Sequence, residues 1–152
     1  MSGLVHAASF RDLLVYQKAR ELQRELFLVS RTFPREESFS LTDQMRRSSR
    51  SIGANIAEAW GKRRYEAHFV SKLTDSDSEQ YETQHWIETA ADCRYLDPQQ
   101  AAVLVDKCKA VGRLLGGMMD KSGLFCGKPP KTLRESSAEY FIQPPNDASE
   151  YR

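Results

Sequence analysis

The chain has 152 residues, of which 40% are hydrophobic and 28% charged, with a formal net charge of +1. That length and balance describe one soluble globular domain large enough to bury a core, and exclude a low-complexity or collagen-like chain. A near-neutral total gives no overall electrostatic attraction to nucleic acid or membrane, and no apolar run approaches the about 20 residues needed to span a bilayer.

Residues 1–8 carry no periodicity and read as a loose leader without the basic-then-apolar pattern of a signal peptide. Ser9 with Asp12 resembles a capping box, so helix 1 is expected to start near Phe10. Val15, Ala19, Leu22, Leu26 and Val29 form its apolar stripe, and Leu14, Tyr16, Phe27 and Leu28 widen it. A helix so broadly apolar is expected to meet more than one neighbour, inside a bundle or across a subunit interface. Pro34 stops it.

After a short polar connection (34–40), Ser40 with Asp43 repeats the capping-box pattern and opens helix 2. Its stripe runs Leu41, Met45, Ser48, Ile52, Ile56, Ala59, with Gly61 expected as a left-handed C-cap. Ser48, Ser49, Ser51, Gly53 and Ala54 permit close approach of another helix. Gly53 inside a helix costs about 1 kcal/mol relative to alanine, which close packing would justify.

Helix 3 is expected over Tyr65–Arg94, a span without proline or glycine and about 45 Å long. Phe69, Leu73, Ser76, Gln80, Thr83, Ile87 and Ala91 follow a heptad-like stripe. The polar run Thr74–Gln80 at its middle is the expected place for a bend or for exposure at an interface. Asp97, Pro98 and Gln100 then give a strong helix start. Helix 4 continues through Ala101, Leu104, Val105, Cys108, Val111, Leu115 and Met118, and Gly116 and Gly117 weaken its end. From 127 to 152 four prolines surround one apolar cluster, Tyr140, Phe141 and Ile142. This segment reads as a disordered tail, with docking of the cluster on a neighbouring subunit as the alternative. The expected architecture is therefore all-α: an antiparallel up-down four-helix bundle over 9–126.

Charge is unevenly distributed. Six cations against two acids between 42 and 64 leave +4, and eight acids against two cations between 65 and 97 leave −6. Arg46, Arg47 and Arg50, with Lys62, Arg63 and Arg64 at the helix end, form a basic face that could neutralise phosphates. Equally, that face could pair with acidic helix 3 of the same or an adjacent subunit. No aromatic-interleaved basic motif of the RNA-recognition type stands in the sequence.

Three cysteines (Cys93, Cys108, Cys126) form no C-x-x-C pair, which fits idle thiols in a reduced, cytoplasmic chain. Glu82-x-x-His85 lacks the second such motif that, with two further glutamates, a di-iron bundle needs, so no metal or cofactor is expected. Asn55 and Glu58, one turn apart on helix 2, should face Glu82 on helix 3 and form a register-fixing hydrogen-bond network rather than an acid–base pair. With no pocket-forming triad and no Gly-rich phosphate loop, no enzyme is expected. Trp60 and Trp86 read as packing residues or subunit contacts.

The densest motifs are SIGANIAEA (51–59), HFVSKL (68–73) and ETQHWIETA (82–90), with FRDLLVYQKA (10–19) and the Phe33-Pro34 stop in register. Together they resemble the signature of a bacterial four-helix bundle family whose members were first noticed as reading frames inside intervening sequences of large ribosomal RNA genes. The resemblance covers about Phe10 to Leu124. It implies assembly as a ring-like homo-oligomer, a barrel-shaped pentamer. It also implies kinship with the accessory variability determinant of diversity-generating retroelements, which binds nucleic acid and a reverse transcriptase. Ser51, Asn55, Glu58 and Glu82 match the family's polar signature, and Arg46, Arg47 and Arg50 fall where the family commonly has bases. The expectation is a non-enzymatic ribonucleoprotein accessory module with RNA or DNA as partner. The alternative is a protein–protein scaffold that touches no nucleic acid and engages a protein partner instead.

Overall fold

The computed structural model describes residues 7–127 together with Tyr140 and Ile142. Four α-helices carry the fold: α1 (Leu14–Ser30), α2 (Leu41–Gly61), α3 (Glu66–Asp92) and α4 (Pro98–Asp120), with no strand among the described residues. Each packs on its chain neighbours, and α1 also packs on α4, so the four close around one core. Their direction follows from the cross-helix pairs. Arg47 meets Glu82, Ser48 meets Thr83, Ser76 meets the Ile52 carbonyl, and Lys72 meets Glu58. Numbers rise along α2 as they fall along α3, so the two are antiparallel. Arg46 on Ser30 and Tyr16 beneath Gly53 give the same sense for α1 and α2, and Thr74 on Met119 with Gln80 beside Gly112 give it for α3 and α4. The core is the expected apolar stripe of each helix, with Leu22, Leu26, Ile52, Ile56, Leu73, Ile87 and Leu115 at most 1% exposed.

The helix ends differ in detail from their sequence signals. The Ser9–Asp12 capping box is present, but it opens a 3-10 turn (Phe10–Asp12), and α1 begins only at Leu14. Ser40 makes no side-chain cap. Glu37 takes that role: its Oε2 accepts from Ser40 Oγ at 2.9 Å and from the Leu41 amide at 3.3 Å. The Ser40 hydroxyl bond holds the Glu37 carboxyl below its ordinary pKa, with smaller help from the Leu41 amide and Tyr95. Gly61 is the last residue of α2 and does not adopt a left-handed conformation. The left-handed stop falls instead on Arg94 (φ 62°) after α3, where the Tyr95 amide reaches back to the Ala90 carbonyl at 2.9 Å in a Schellman closure. Asp97 caps α4 as expected, accepting from the Gln99 amide at 2.9 Å.

The polar middle of α3 neither breaks the helix nor faces solvent as a block. α3 is continuous, and within the run Ser76 and Gln80 are buried while Thr74, Asp75 and Ser78 are exposed. The small residues of α2 let α3 approach closely enough for its buried polar groups to find partners. Ser76 Oγ donates to the Ile52 carbonyl at 2.8 Å. Thr83 Oγ1 donates to the Glu79 carbonyl at 2.8 Å and lies 2.9 Å from Ser48 Oγ. On the other side Gln80 lies so near α4 that a Cβ on Gly112 would stand 2.8 Å from its Nε2, so any larger residue there would have to displace the Gln80 amide.

Of the tail, Tyr140 and Ile142 lie on this chain's own bundle. The Tyr140 ring packs edge-on against Phe125 at 5.8 Å, with Lys121 Nζ 5.2 Å from its centroid, and the Ile142 amide donates to the Asp12 carbonyl at 3.0 Å. The rest of the expected tail and the leader 1–6 lie outside the described residues. Cys93 is exposed, and burial pushes the Cys108 thiol up to about 12.

Candidate nucleic-acid interface

Successive residues of a helix point about 100° apart, and this divides the basic residues of α2. Arg47 turns toward α3. Its guanidinium contacts the Glu82 carboxylate directly and approaches Glu79 Oε1 at 3.6 Å. Arg46 and Arg50 turn toward α1. Arg46 Nε donates to Ser30 Oγ at 2.8 Å, and its guanidinium lies 4.9 Å from the centre of the Phe27 ring, with Arg50 at 5.9 Å and Arg31 at 6.0 Å. Lys62, Arg63 and Arg64 sit at the far end of α2, about 24 Å along the axis from Arg46 to Lys62. There Arg63 lies 3.5 Å over the Trp60 ring and donates to the Trp60 carbonyl at 2.9 Å, and burial lowers its pKa. The six predicted bases are thus three separate features.

The α1 side supplies cations that the expected site omitted. Arg20, Arg24, Phe27 and Arg31 recur at four, three and four residues, one stripe of a helix. That stripe lies against Arg46 and Arg50. Shallow grooves run along it, one lined by Arg20, Gln23, Arg24, Phe27 and Arg50, another by Ser30, Arg31, Phe33, Arg35, Ser38, Thr42 and Arg46. Farther along, Arg20 donates to the Tyr16 hydroxyl at 3.3 Å, and Tyr16 packs edge-on against Phe10, which carries Arg11 at 4.4 Å. The face therefore mixes aromatic rings and guanidinium groups: α1 supplies Tyr16, Arg20, Arg24, Phe27 and Arg31, and α2 adds Arg46 and Arg50. Among the described residues no carboxylate lies within 4.0 Å of Arg20, Arg24, Arg31, Arg46 or Arg50.

The predicted polar cluster is not brought together as one network. Ser51 Oγ donates to the Arg47 carbonyl at 2.8 Å and Asn55 Nδ2 to the Ser51 carbonyl at 2.9 Å, both within α2. Glu58 is exposed and pairs with Lys72 at 2.7 Å, which holds its pKa down, while Glu82 pairs with Arg47. The polar groups buried between α2 and α3 are Ser48, Ser76 and Thr83 instead, with Gln80 buried against α4. They are serine, threonine and glutamine, and they interrupt an apolar stripe; that interruption was their signal. Glu82 and His85 do not converge, since His85 is exposed beside Trp86, and no group of three or more His, Cys, Asp or Glu able to hold a metal occurs among the described residues. No described helix is long and apolar enough to cross a membrane.

Glu79 stands out beside Arg47. Its Oε2 is buried without a hydrogen-bond partner, and its pKa is raised, first by burial and then by Glu82 against the opposing pull of Arg47. The folded carboxyl holds its proton to higher pH than the unfolded one, so this group's contribution weakens stability as pH rises from about 4.5 through the folded-state value. Glu79→Gln is expected to raise stability at pH 7 by about 0.5 kcal/mol and to flatten that part of the pH profile. Glu82→Gln should lower stability, because it removes the direct partner of Arg47. Urea midpoints at pH 4 and pH 7 for both variants check the two signs.

A family model described as 23S rRNA-intervening sequence protein matches residues 11–117. Among solved structures, the chain is similar to a crystal structure of a protein of unknown function from the S23 ribosomal protein family of Bacteroides thetaiotaomicron. The two share 27% identity and a TM-score of 0.64, over 70% of this chain and 96% of that one. No curated protein matches the chain in sequence.

Proposed function

Because this chain belongs to the 23S rRNA-intervening sequence protein family, we propose that it is a non-enzymatic nucleic-acid-binding accessory module, with the α1–α2 face as its contact surface. One observation carries this reading. Arg20, Arg24, Arg31, Arg46 and Arg50 share a face and have no acidic partner among the described residues, as phosphate-binding arginines should in a free protein. Arg47 is paired within the chain and is assigned to the fold. The module acts as a homo-oligomer, in the resemblance a pentameric ring. Self-association is supported by large apolar side chains left in solvent, among them Phe39 at 95% exposed, Leu28, Tyr81 and Val103. The cytoplasm, where ribosomal and other RNA is met, is the proposed location.

Fluorescence anisotropy of labelled RNA and DNA across a salt series tests the proposal, on protein whose solution mass is measured in the same buffer. Affinity is expected to fall linearly on a log–log plot, with a slope of about −0.7 per phosphate contacted on a single strand. Absence of binding at low salt overturns the reading and leaves the scaffold, in which the basic face meets an acidic protein surface. A monomeric mass counts against the ring alone.

A further inference from the structure

Resting on that reading, we propose that the α1–α2 face takes unpaired nucleotides, with a base stacked at Phe27 and its flanking phosphates held by Arg46, Arg50 and Arg31. Phe27 is a large apolar ring, 37% exposed, at the centre of a cationic surface. Leu26, one residue before it, is fully buried, and the helical step of about 100° turns Phe27 away from the core onto the face of Arg20, Arg24 and Arg31. Three guanidinium groups lie within about 6.0 Å of its centroid. Ring and guanidinium planes both offer π surfaces on which a base can lie, and cations at that distance reach the phosphates on either side of it.

A duplex cannot use this arrangement. Its bases are stacked on one another, so it presents phosphates and groove edges and would gain nothing from a ring set level with the arginines. Single strands and loops expose base faces, and proteins that bind them combine a basic track with aromatic platforms, tolerant of sequence because every base has a π face. One groove holds Phe27 together with Arg20, Arg24 and Arg50, and a second, lined by Ser30, Arg31 and Arg46 among others, continues the cationic surface, so a strand can follow the face past the ring. The ligand class is therefore single-stranded or looped nucleic acid without strong base preference.

The test compares three labelled probes on the full chain: a single strand of about 12 nucleotides, the same strand carrying abasic sites, and the perfect duplex. The wild type should bind the intact strand about tenfold more tightly than the abasic strand, which keeps its phosphates and loses its stacking. Phe27→Leu should lose about tenfold on the intact strand, nothing further on the abasic one, and should keep the salt slope, while Phe27→Tyr should bind as the wild type does. Equal binding of intact and abasic strands, a preference for the duplex, or an undiminished Phe27→Leu would each overturn the stacking proposal. Because the abasic comparison is made on the probe, it holds even if a Phe27 variant folds poorly. Absence of binding to every probe at low salt would instead overturn the nucleic-acid reading on which this inference rests.

Discussion

Charge reversal of Arg46 and Arg50 to glutamate is expected to lower nucleic-acid affinity at least about 100-fold at moderate salt and leave a folded bundle. Two phosphate contacts are lost, and two repulsive charges take their place on a surface whose binding is mainly electrostatic. The fold should feel less. Arg50 is exposed and has no hydrogen bond or ion pair among the described residues, so its reversal should stay within about 0.5 kcal/mol. Arg46 gives up its bond to Ser30 and its place over Phe27, together about 1 kcal/mol. Arg47→Glu should show the opposite balance. It would place a third carboxylate beside Glu79 and Glu82, one of them carrying a buried, unpartnered oxygen, and should destabilise by about 1–2 kcal/mol while changing affinity little. Anisotropy and urea denaturation on the double and single variants separate the two kinds of arginine. If Arg47→Glu costs more binding than Arg46→Glu with Arg50→Glu, the face has been placed on the wrong side of α2.

That division explains what could and could not be read from the chain. Periodicity located the four helices and nearly all their buried positions, because a 3.6-residue repeat reports which residues share a face. The same repeat contains the stripe of Arg20, Arg24, Phe27 and Arg31, but on α1 alone three arginines look like an ordinary solvated face and Phe27 like spare apolar surface. Only the antiparallel pairing with α2 brings Arg46 and Arg50 against them. Arg46 and Arg47 are neighbours in sequence, which suggests one basic face, although their side chains belong to different helix pairs. Lys62, Arg63 and Arg64 suggest the same by proximity, and they lie a long helix span away. Helix ends were harder. The Ser40 hydroxyl donates to Glu37 and caps no amide, while the Glu37 carboxylate reaches the Leu41 amide from outside the helix. The left-handed conformation at Arg94 has no local signature, since arginine carries no preference for it.

The polar middle of α3 leads to the second large effect. Ser48→Leu is expected to destabilise by about 3 kcal/mol, near the top of the range for overpacking a close-packed interior. Ser48 is 0% exposed and sits opposite Thr83, 2.9 Å between the two hydroxyl oxygens, at the seam between α2 and α3. A leucine there has no space to enter unless the helices part. Parting them would strain the Ser76 bond to the Ile52 carbonyl one helical turn on and the contact of Arg47 with Glu82 beside it. Ser48→Ala removes the hydroxyl without adding volume and should cost no more than about 1 kcal/mol. Ser78→Leu is the matched control: the same substitution, within the polar run of α3, at an exposed position whose hydroxyl bonds only to the Thr74 carbonyl. It should stay within about 0.5 kcal/mol. With a urea dependence of about 1–3 kcal/mol per molar, Ser48→Leu should move the denaturation midpoint down by about 1–3 M, and Ser78→Leu should leave it in place. Equal midpoints for the two leucine variants would mean that the seam is open at Ser48, and that apolar packing alone, without the close approach permitted by the α2 serines, holds α3 to the bundle.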